Sequence, residues 1–334
     1  MYKTPFHIGN LILPHRLIQG PLAGYSAAPM RVLFNEFMAP AYCVTEMLSA
    51  KDVLTKHQAN TRYLYRHPSE QKLCYQLSGT HPSDLAAAAK KCQDLGADLI
   101  DLNVGCPKPK IRKKGAGSKL LETPETLYAI VSAMRQVITV PLTVKIRLQT
   151  ETENQSIAKN IEACGADALI VHGRRWQDDY DVKANFEAIR SIKSVVNIPV
   201  IANGDIEDAT SLNQAMSESC GDAFMIGRAG TGKPWLYQQL LTGVTAAPSI
   251  ARRLELFRRH IEALVQLEGE ALVTGQAKSL AKYYFKDVMA APSLATSRGL
   301  SAGSSFITFD SIYQCVTLQE IIKTVHHQLL ECAL

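Results

Sequence analysis

Short apolar segments alternate with helix-length amphipathic segments over residues 17–240, a pattern typical of parallel sheets. Three of the apolar segments follow a glycine and an aspartate, at Gly96–Asp98, Gly165–Asp167 and Gly221–Asp222. A glycine that ends a helix in the left-handed conformation, followed by a buried strand, explains this echo. Eight such units favour a (β/α)8 TIM barrel, of the α/β class, over an open doubly wound sheet. The predicted strands are Leu17–Leu22, Tyr42–Met47, Leu73–Leu77, Leu99–Val104, Leu142–Leu148, Ala168–Val171, Pro199–Ala202 and Ala223–Ile226.

Two regions lie outside this repeat. Residues 6–17, with Gly9-Asn10 at the turn, predict an N-terminal hairpin that plugs the barrel floor. After about residue 240 only helices are expected, at Ile250–Leu267, Gln276–Ala290 and Ser311–Leu330, with a connection rich in Ser, Gly and Ala at 292–305. We therefore expect a barrel domain over residues 1–240 and an all-helical domain over residues 241–334.

Composition excludes several classes of protein. With 334 residues, 46% of them hydrophobic, the chain can bury one large core and one small one. No apolar run approaches the ~20 residues of a membrane span, and residues 1–10 do not resemble a signal peptide. The eight cysteines lack CxxC spacing, which indicates reduced thiols. A cytoplasmic monomer without a metal site or a membrane partner is expected.

The strand ends are where a barrel of this kind carries its functional residues. Asn203-Gly204-Asp205 and Gly227-Arg228 follow the seventh and eighth predicted strands. Glycine turns at those two strands commonly bind a phosphate through backbone N–H groups, and Arg228 would add a charge-assisted contact. The alternative interpretation is that both are ordinary tight turns.

Lys145 lies on the fifth predicted strand between two apolar residues, so its ammonium would project into the barrel mouth. There it would stabilise the negative charge of a reduced flavin. The alternative is a structural ion pair with Asp101 or Glu46.

Cys106 follows the fourth predicted strand in a Gly-Cys-Pro turn. Cations near a thiol make it a usable acid or nucleophile. The segment that follows Cys106 is rich in Lys and Arg and contains no Asp or Glu before Glu122. Six cations beside this candidate indicate a polyanionic substrate, whereas a solvated loop is the alternative. They are Lys108, Lys110, Arg112, Lys113, Lys114 and Lys119.

Six motifs of this chain resemble those of the tRNA-dihydrouridine synthases, in the same order and spacing. The likeness runs from about Gly9 to Trp235 and continues more weakly into the helical region. The pair formed by the first two motifs is highly specific. The motifs are Asn103–Pro107, Gly115–Leu121, Lys145–Arg147, Val171–Arg174, Ile201–Asp205 and Met225–Arg228.

The resemblance implies an FMN enzyme that uses NADPH to reduce the uracil C5–C6 bond of selected tRNA uridines. Hydride would pass from FMN N5 to C6, and Cys106 would donate the proton to C5. Asn103 and Arg147 would hold the target base, and Lys108, Lys110 and Lys282 would contact the tRNA. The residues implied to hold FMN are Pro21, Leu22, Ala23, Gln76, Lys145, His172, Asn203, Gly204, Asp205, Gly227 and Arg228.

The helical region would bind the rest of the tRNA. Lys278, Lys282 and Lys286 lie at i, i+4 and i+8, opposite the apolar face of the same predicted helix. A plain amphipathic helix is the alternative. The chain departs from the family pattern at Arg175, at Val182, and at Ala281 and Tyr283, which flank Lys282 where the family has Arg-Lys-His.

Two other functions fit parts of this pattern. A small-molecule flavin reductase, of the dihydroorotate or dihydropyrimidine type, would share the barrel and the lysine, but the basic loop and the helical tail argue against it. A catalytically silent RNA-binding protein would keep its activity when Cys106 is replaced.

Overall fold

The computed structural model describes residues 2–288 and 309–331. Every predicted barrel strand is present, with shifts at the ends. The strands are β1 Phe6–Ile8, β2 Leu11–Leu13, β3 Leu17–Gln19, β4 Cys43–Ser49, β5 Leu73–Ser78, β6 Leu99–Val104, β7 Leu142–Leu148, β8 Ala168–Arg175, β9 Val200–Asn203 and β10 Ala223–Ile226. Eight of these strands, all parallel, close into a barrel in the order β10-β3-β4-β5-β6-β7-β8-β9, which confirms the predicted fold class.

Helices surround the barrel and then continue beyond it. Short 3-10 helices at Phe34–Glu36, Gly117–Glu122 and Arg228–Gly230 lie in the connections. The α-helices are α1 Ala28–Leu33, α2 Ala50–Thr55, α3 Pro82–Asp94, α4 Pro109–Arg112, α5 Pro124–Val137, α6 Glu151–Ala163, α7 Phe186–Lys193, α8 Ala209–Ser219, α9 Leu236–Thr242, α10 Ile250–Glu268, α11 Glu270–Phe285, α12 Phe309–Gln314 and α13 Leu318–Glu331. None of the helices described is both long and apolar enough to span a membrane.

The predicted hairpin plugs the barrel floor. β1 and β2 pair antiparallel around Gly9, whose φ of +53° suits a glycine. Phe6, Ile8 and Leu13 are buried in one cluster with the lowest inward-facing residues of the barrel strands. The barrel is therefore closed at this end by hydrophobic contact. The strand residues in the cluster are Ile18, Val44, Cys74, Leu99, Ala168, Ile170, Ile201, Ala223 and Met225.

β3 is shorter than predicted. It ends at Gln19 rather than at Leu22. Pro21 has no N–H to donate to a neighbouring strand, and Gly20 before it lies directly against the Met225 side chain. The segment after Gln19 therefore becomes the first loop at the open end of the barrel.

Two predicted C-terminal helices have different bounds. α11 begins at Glu270 instead of Gln276, directly after Gly269 ends α10, because Val273 and Ala277 extend its buried face toward the N-terminus. The helix predicted over 311–330 is interrupted between Gln314 and Leu318. There Thr317 accepts a hydrogen bond from the Glu320 N–H, and the Glu320 carboxylate accepts one from the Thr317 N–H, so a new helix starts. The predicted connection at 292–305 lies outside the described residues.

The described C-terminal helices enclose a second hydrophobic cluster. Its buried residues include Phe257, Leu280, Tyr284 and Ile321, and Trp235 from the end of the barrel region joins them. Within α11, Lys282 is exposed whereas Leu280 and Tyr284 are buried, as the amphipathic pattern predicted. The predicted lysine stripe is incomplete, because Lys278 is half-buried and donates to the Tyr313 carbonyl at 2.8 Å, and Lys286 follows the end of the helix at Phe285. The helical region therefore has a core of its own and also packs on the barrel.

Candidate active site

A cavity of about 500 Å³ opens at the carboxyl ends of the barrel strands. All eleven residues predicted to hold the cofactor line it, and so do Cys106, Asn103, Arg147 and Lys108. Lys110, on α4, and Lys282, on α11, are exposed outside its lining. The structure therefore brings most of the predicted site to one place, while the roles of these residues stay predictions.

Lys145 lies half-buried in the wall of the cavity. Its Nζ donates a hydrogen bond to Asn203 Oδ1 at 2.9 Å, and Asn203 Nδ2 donates to the Met225 carbonyl at 2.9 Å. Desolvation lowers the pKa of Lys145. Among the described residues no ion pair joins it to Asp101 or Glu46, since Glu46 pairs instead with Arg62 at 2.5 Å. The buried Asp101 carboxylate still acts on Lys145 electrostatically, but no described carboxylate contacts its ammonium directly, so the ammonium stays available to a ligand in the cavity.

A network of side chains links the barrel interior to the Cys106 turn. The buried Asp101 carboxylate accepts from Thr143 at 2.6 Å and from Gln76 Nε2 at 2.7 Å, and burial raises its pKa. Gln76 Oε1 accepts from Asn103 Nδ2 at 2.9 Å. Asn103 Oδ1 then accepts from the Cys106 N–H at 2.9 Å. Gln76 and Asn103 are thus held in one orientation by bonds at both ends of their amides.

The turn after Cys106 explains the glycine and serine of the Gly-x-Gly-Ser motif. The Cys106 carbonyl accepts from the Ser118 N–H at 3.1 Å and from Ser118 Oγ at 3.0 Å. Gly117 has φ +63°, and a Cβ there would lie 2.7 Å from the Cys106 carbonyl oxygen. Only glycine allows this close return of the chain. Cys106 itself is half-buried at the edge of the cavity.

The turn after β9 has a strained backbone. Gly204 has φ +128°, and Asp205 has φ +48°, which is unusual for a residue with a side chain. Both oxygens of the Asp205 carboxylate accept from Arg174 Nη2, at 2.6 and 2.8 Å, and one of them also accepts from the Ala184 N–H at 2.8 Å. A carboxylate cannot donate to an anion, so Asp205 can bind an anionic ligand only through its backbone N–H, while Arg174 offsets the charge of its side chain.

Arg174 is the main site residue absent from the predicted set. It lines the cavity, is 2% exposed, and donates to His172 Nε2 at 3.3 Å. Desolvation, together with the charges of Lys145, Arg147, Arg174 and Arg228, lowers the pKa of His172 to about 2, so its imidazole is neutral. The signal for Arg174 was its position directly after His172 and Gly173 at a strand end.

Three tyrosines at the mouth of the cavity were also missed. Tyr25 and Tyr283 form an edge-to-face pair with centroids 5.4 Å apart, and the Arg228 guanidinium lies 4.0 Å from the ring centre of Tyr180. Tyr25 and Tyr180 lie outside the predicted strands and helices, where periodicity carries no information, and the pattern of the predicted helix that contains Tyr283 does not show that it reaches the cavity. Tyr283 comes from α11, so the helical region contributes directly to the cavity.

Arg62 connects the helical region to the first cavity loop. It contacts Glu46 of β4 and Glu268 at the end of α10. Glu46 Oε2 in turn accepts from the Gly24 N–H at 2.8 Å, and Gln276 of α11 donates to the Gly24 carbonyl. The loop that contains Pro21, Leu22 and Ala23 is therefore held from both the barrel and the helices.

The basic residues after Cys106 form two groups, those that pair with a carboxylate and those that are exposed. Arg112 and Lys119 both pair with Glu122, at 2.5 Å each. Lys108, Lys110 and two further lysines, Lys113 and Lys114, are exposed. Only these exposed lysines present charge to a polyanion without competition from Glu122.

Comparison with known proteins agrees with this geometry. The family model described as Dihydrouridine synthase (Dus) matches residues 18–304. The tRNA-dihydrouridine synthase B of Proteus vulgaris is 36% identical over 289 residues, covering 84% of this chain and 89% of that protein. The protein of the same name from Vibrio vulnificus is 35% identical over 288 residues, with the same coverage.

Solved structures with a similar fold are more distant in sequence. Morphinone reductase superposes with a TM-score of 0.57 at 13% identity, over 74% of this chain and 91% of its own. An old yellow enzyme homologue from Zymomonas mobilis gives 0.56 at 13% identity, over 75% and 96%. These likenesses concern the barrel fold alone. The sequence matches, which cover most of the chain and most of each relative, establish that this protein belongs to the dihydrouridine synthase family of oxidoreductases.

Proposed function

We propose that this enzyme reduces the C5–C6 double bond of specific tRNA uridines to give 5,6-dihydrouridine, with FMN as its cofactor and NADPH as its reductant. The observation that carries the proposal is that Cys106 and Lys145 line one cavity in a chain of this family, and that Lys145 forms no direct ion pair among the described residues. One group can donate a proton and the other can stabilise negative charge.

The cavity fits a flavin mononucleotide in size and in chemistry. Its volume lies within the roughly 300–1,000 Å³ of small-molecule sites. A Cβ at Gly227 would meet nothing within 4 Å, so the backbone there is open to a ligand. Thr231 also lines this cavity, and its Oγ1 is buried without a hydrogen-bond partner among the described residues.

Specific residues are assigned to the cofactor. Gly204, Gly227 and Arg228 would hold its phosphate through backbone N–H groups and one guanidinium. Lys145, fixed by Asn203, would lie against the electron-rich ring. When bound, reduced FMN supplies the hydride that reaches C6 of the uracil. The remaining ligands are Pro21, Leu22, Ala23, Gln76, His172 and Asp205, the last through its backbone.

Cys106 donates the proton in this proposal. As the reduction proceeds, negative charge spreads from C5 toward the C4 carbonyl of the uracil, and an acid on the opposite face must protonate C5. The Cys106 thiol is half-buried, and its backbone is fixed by Asn103 on one side and Ser118 on the other. A fixed backbone keeps the acid close to the reacting atom.

The target uridine must leave the folded tRNA to reach the cavity, which costs a few kcal/mol. Asn103 and Arg147 would hold the extruded base. Arg147 donates to the Gly105 carbonyl at 3.0 Å and to the Arg175 carbonyl at 2.7 Å, which leaves further N–H groups of its guanidinium for a ligand.

The surface around the cavity would bind the rest of the tRNA. Lys108 and Lys110 on one side and Lys282 on α11 supply exposed positive charge. In this proposal residues 1–240 form the FMN-binding catalytic domain, and residues 241–334 form the tRNA-binding domain.

Mass-spectrometric mapping of dihydrouridine tests this function. tRNA from cells without the gene is compared with tRNA from cells complemented by wild type, by Cys106→Ala or by Cys220→Ala. Cys220 is exposed, outside the cavity, and therefore a matched control. We expect dihydrouridine at defined positions to return with wild type and Cys220→Ala only. Unchanged dihydrouridine in the deletion strain, with no second synthase present, would refute the tRNA assignment, and full activity of Cys106→Ala would refute the role of the thiol.

A further inference from the structure

An arginine of the Cys106 loop stacks on an aromatic ring from a different strand end. The Arg112 guanidinium lies 3.6 Å from the ring centre of Trp176. Arg112 ends α4, which follows Cys106, whereas Trp176 follows β8 directly. The side chain of Arg112 is only 13% exposed, unlike those of the neighbouring lysines. Arg112 is therefore a packed residue within a loop of solvated cations.

Arg112 is one contact away from the Cys106 backbone. Its Nη1 donates to Ser118 Oγ at 3.0 Å, and the same hydroxyl donates to the Cys106 carbonyl at 3.0 Å. Its second Nη pairs with Glu122 at 2.5 Å. Trp176 covers the face of a guanidinium whose edges are both hydrogen-bonded. Such a planar, stacked and doubly bonded position suits arginine and not lysine.

A second arginine joins the same two loops lower in the barrel. Arg147 of β7 donates to the Gly105 carbonyl on one side and to the Arg175 carbonyl on the other, at 3.0 and 2.7 Å. Gly105 precedes Cys106, and Arg175 precedes Trp176. Two contacts therefore connect the loops after β6 and β8. Arg147 donates to a backbone carbonyl of each loop, and the side chains of Arg112 and Trp176 stack on each other.

We propose that Arg112 and Trp176 are positioning residues, which hold the Cys106 loop against the loop after β8 so that the thiol stays at the edge of the cavity. Neither residue needs to touch the substrate for this. The consequence for catalysis rests on the proposed function, because it assumes that Cys106 is the proton donor. The consequence for the loop itself does not.

The expected effect is moderate. A cation–π contact at a partly exposed site shifts a local equilibrium by roughly 2- to 30-fold. Without the stack, the Cys106 loop should open more often by that factor. The thiol would then be more accessible to reagents and less often in place to donate a proton.

Alkylation of Cys106 in the flavin-loaded enzyme without tRNA measures the opening directly. Iodoacetamide is added to wild type, Trp176→Ala, Trp176→Phe, Arg112→Lys and Lys159→Ala, and the peptide with Cys106 is quantified by mass spectrometry. We expect roughly 2- to 30-fold faster alkylation in Trp176→Ala and Arg112→Lys, the range that a cation–π contact supports. Trp176→Phe keeps a ring and should restore a rate near wild type, and Lys159→Ala, which removes an exposed cation of α6 outside the cavity, should leave the rate unchanged.

Steady-state kinetics on tRNA separate positioning from substrate contact. A positioning role predicts that Trp176→Ala lowers kcat and leaves KM close to wild type, with recovery in Trp176→Phe. Unchanged alkylation in both Trp176→Ala and Arg112→Lys would overturn the proposal, as would a raised KM with normal kcat. If alkylation responds as expected but wild type forms no dihydrouridine, the proposed function fails and the loop contact stands. Because Arg112→Lys disturbs the stack from the other side, a folding failure of one variant does not remove the test.

Discussion

The two ends of the barrel are built from the same strands, yet they bury opposite kinds of side chain. Along β6 the inward-facing residues change from Leu99 through Asp101 to Asn103, and along β8 they change from Ile170 to His172. At the closed end the hairpin covers an apolar layer. At the open end buried polar groups surround a cavity. The closed end thus contributes to stability, whereas desolvation of the open end opposes folding and is retained for its chemistry.

Replacement of Lys145 should separate function from stability most clearly. We expect Lys145→Met to lose most of its flavin and to lower turnover by roughly 10²–10³-fold, because the charge that faces the cofactor is removed. The flavin-free variant should unfold at a temperature no lower than flavin-free wild type, since the change removes a desolvated ammonium that forms no direct ion pair among the described residues. Flavin absorbance and thermal unfolding measure the two effects. A marked loss of stability would contradict the contrast between the two ends.

The closed end should respond in the opposite way. Ile8→Ala removes a fully buried side chain from the floor cluster and should lower the free energy of unfolding by about 2–5 kcal/mol. Turnover at low temperature should stay near wild type, because the cavity is at the other end. Urea unfolding measures the change in stability. Ile12→Ala, on the same hairpin but 63% exposed, serves as the control and should change little.

The neutral imidazole at the open end should make the flavin-free protein sensitive to acid. The pKa of His172 is lowered from its ordinary 6.5 to about 2, so below pH 6.5 the unfolded state binds a proton that the folded state does not. Stability therefore falls as the pH falls. In wild type, this proton should lower the free energy of unfolding by about 2 kcal/mol between pH 6.5 and pH 5, since one pKa unit is worth about 1.4 kcal/mol. The His172→Gln variant should not show this decrease. Urea unfolding across this pH range checks the prediction, and an equal flattening in the exposed His7→Gln variant would refute it.

The exposed lysines at the mouth should have the smallest effect. Lys108→Ala with Lys110→Ala should weaken tRNA binding a few-fold at moderate salt and lower the slope of log K against log salt by about 0.7–0.9 for each phosphate that is no longer neutralised. Binding titrations at several salt concentrations measure the slope. Lys159→Ala is the control, because Lys159 is exposed in the half of α6 that approaches the closed end. A similar change of slope in Lys159→Ala would contradict the prediction, because tRNA binding would then depend on the net charge of the protein and not on the position of the lysines.

Much of the barrel could be predicted from the sequence because its strands carry a local signal. Strands such as Leu142–Leu148 are apolar on both faces, and the glycines before several of them mark where helices end. Since parallel strands converge at one edge, residues at their ends could be assigned to one cavity before any coordinates were known. Lys145 and Asn203, far apart in the chain, are an example, because they meet at 2.9 Å.

Other features depend on contacts that leave no local pattern. The Trp176 ring contacts Arg112 because the loops after β6 and β8 approach each other past the end of β7, which lies between them in the barrel. The start of α11 was misplaced because the six residues between Gly269 and Gln276 include polar and small residues typical of a loop, although Val273 packs in the helical core. Engagement of the Asp205 carboxylate by Arg174 could not be predicted either, since it depends on the left-handed turn at Gly204 and Asp205.

The plugged floor also constrains the order in which the molecule can assemble. Phe6 and Ile8 are synthesised well before Ile201 and Met225, yet all four are buried in the same cluster. Arg16 likewise donates to the Asp222 carbonyl, and Tyr2 to the Leu240 carbonyl. During synthesis the floor cluster therefore stays incomplete until the eighth barrel strand is made, because contacts of such long sequence separation form late. A nascent chain that stops before β10 lacks the last part of this cluster, so it leaves apolar hairpin surface exposed for chaperones to recognise.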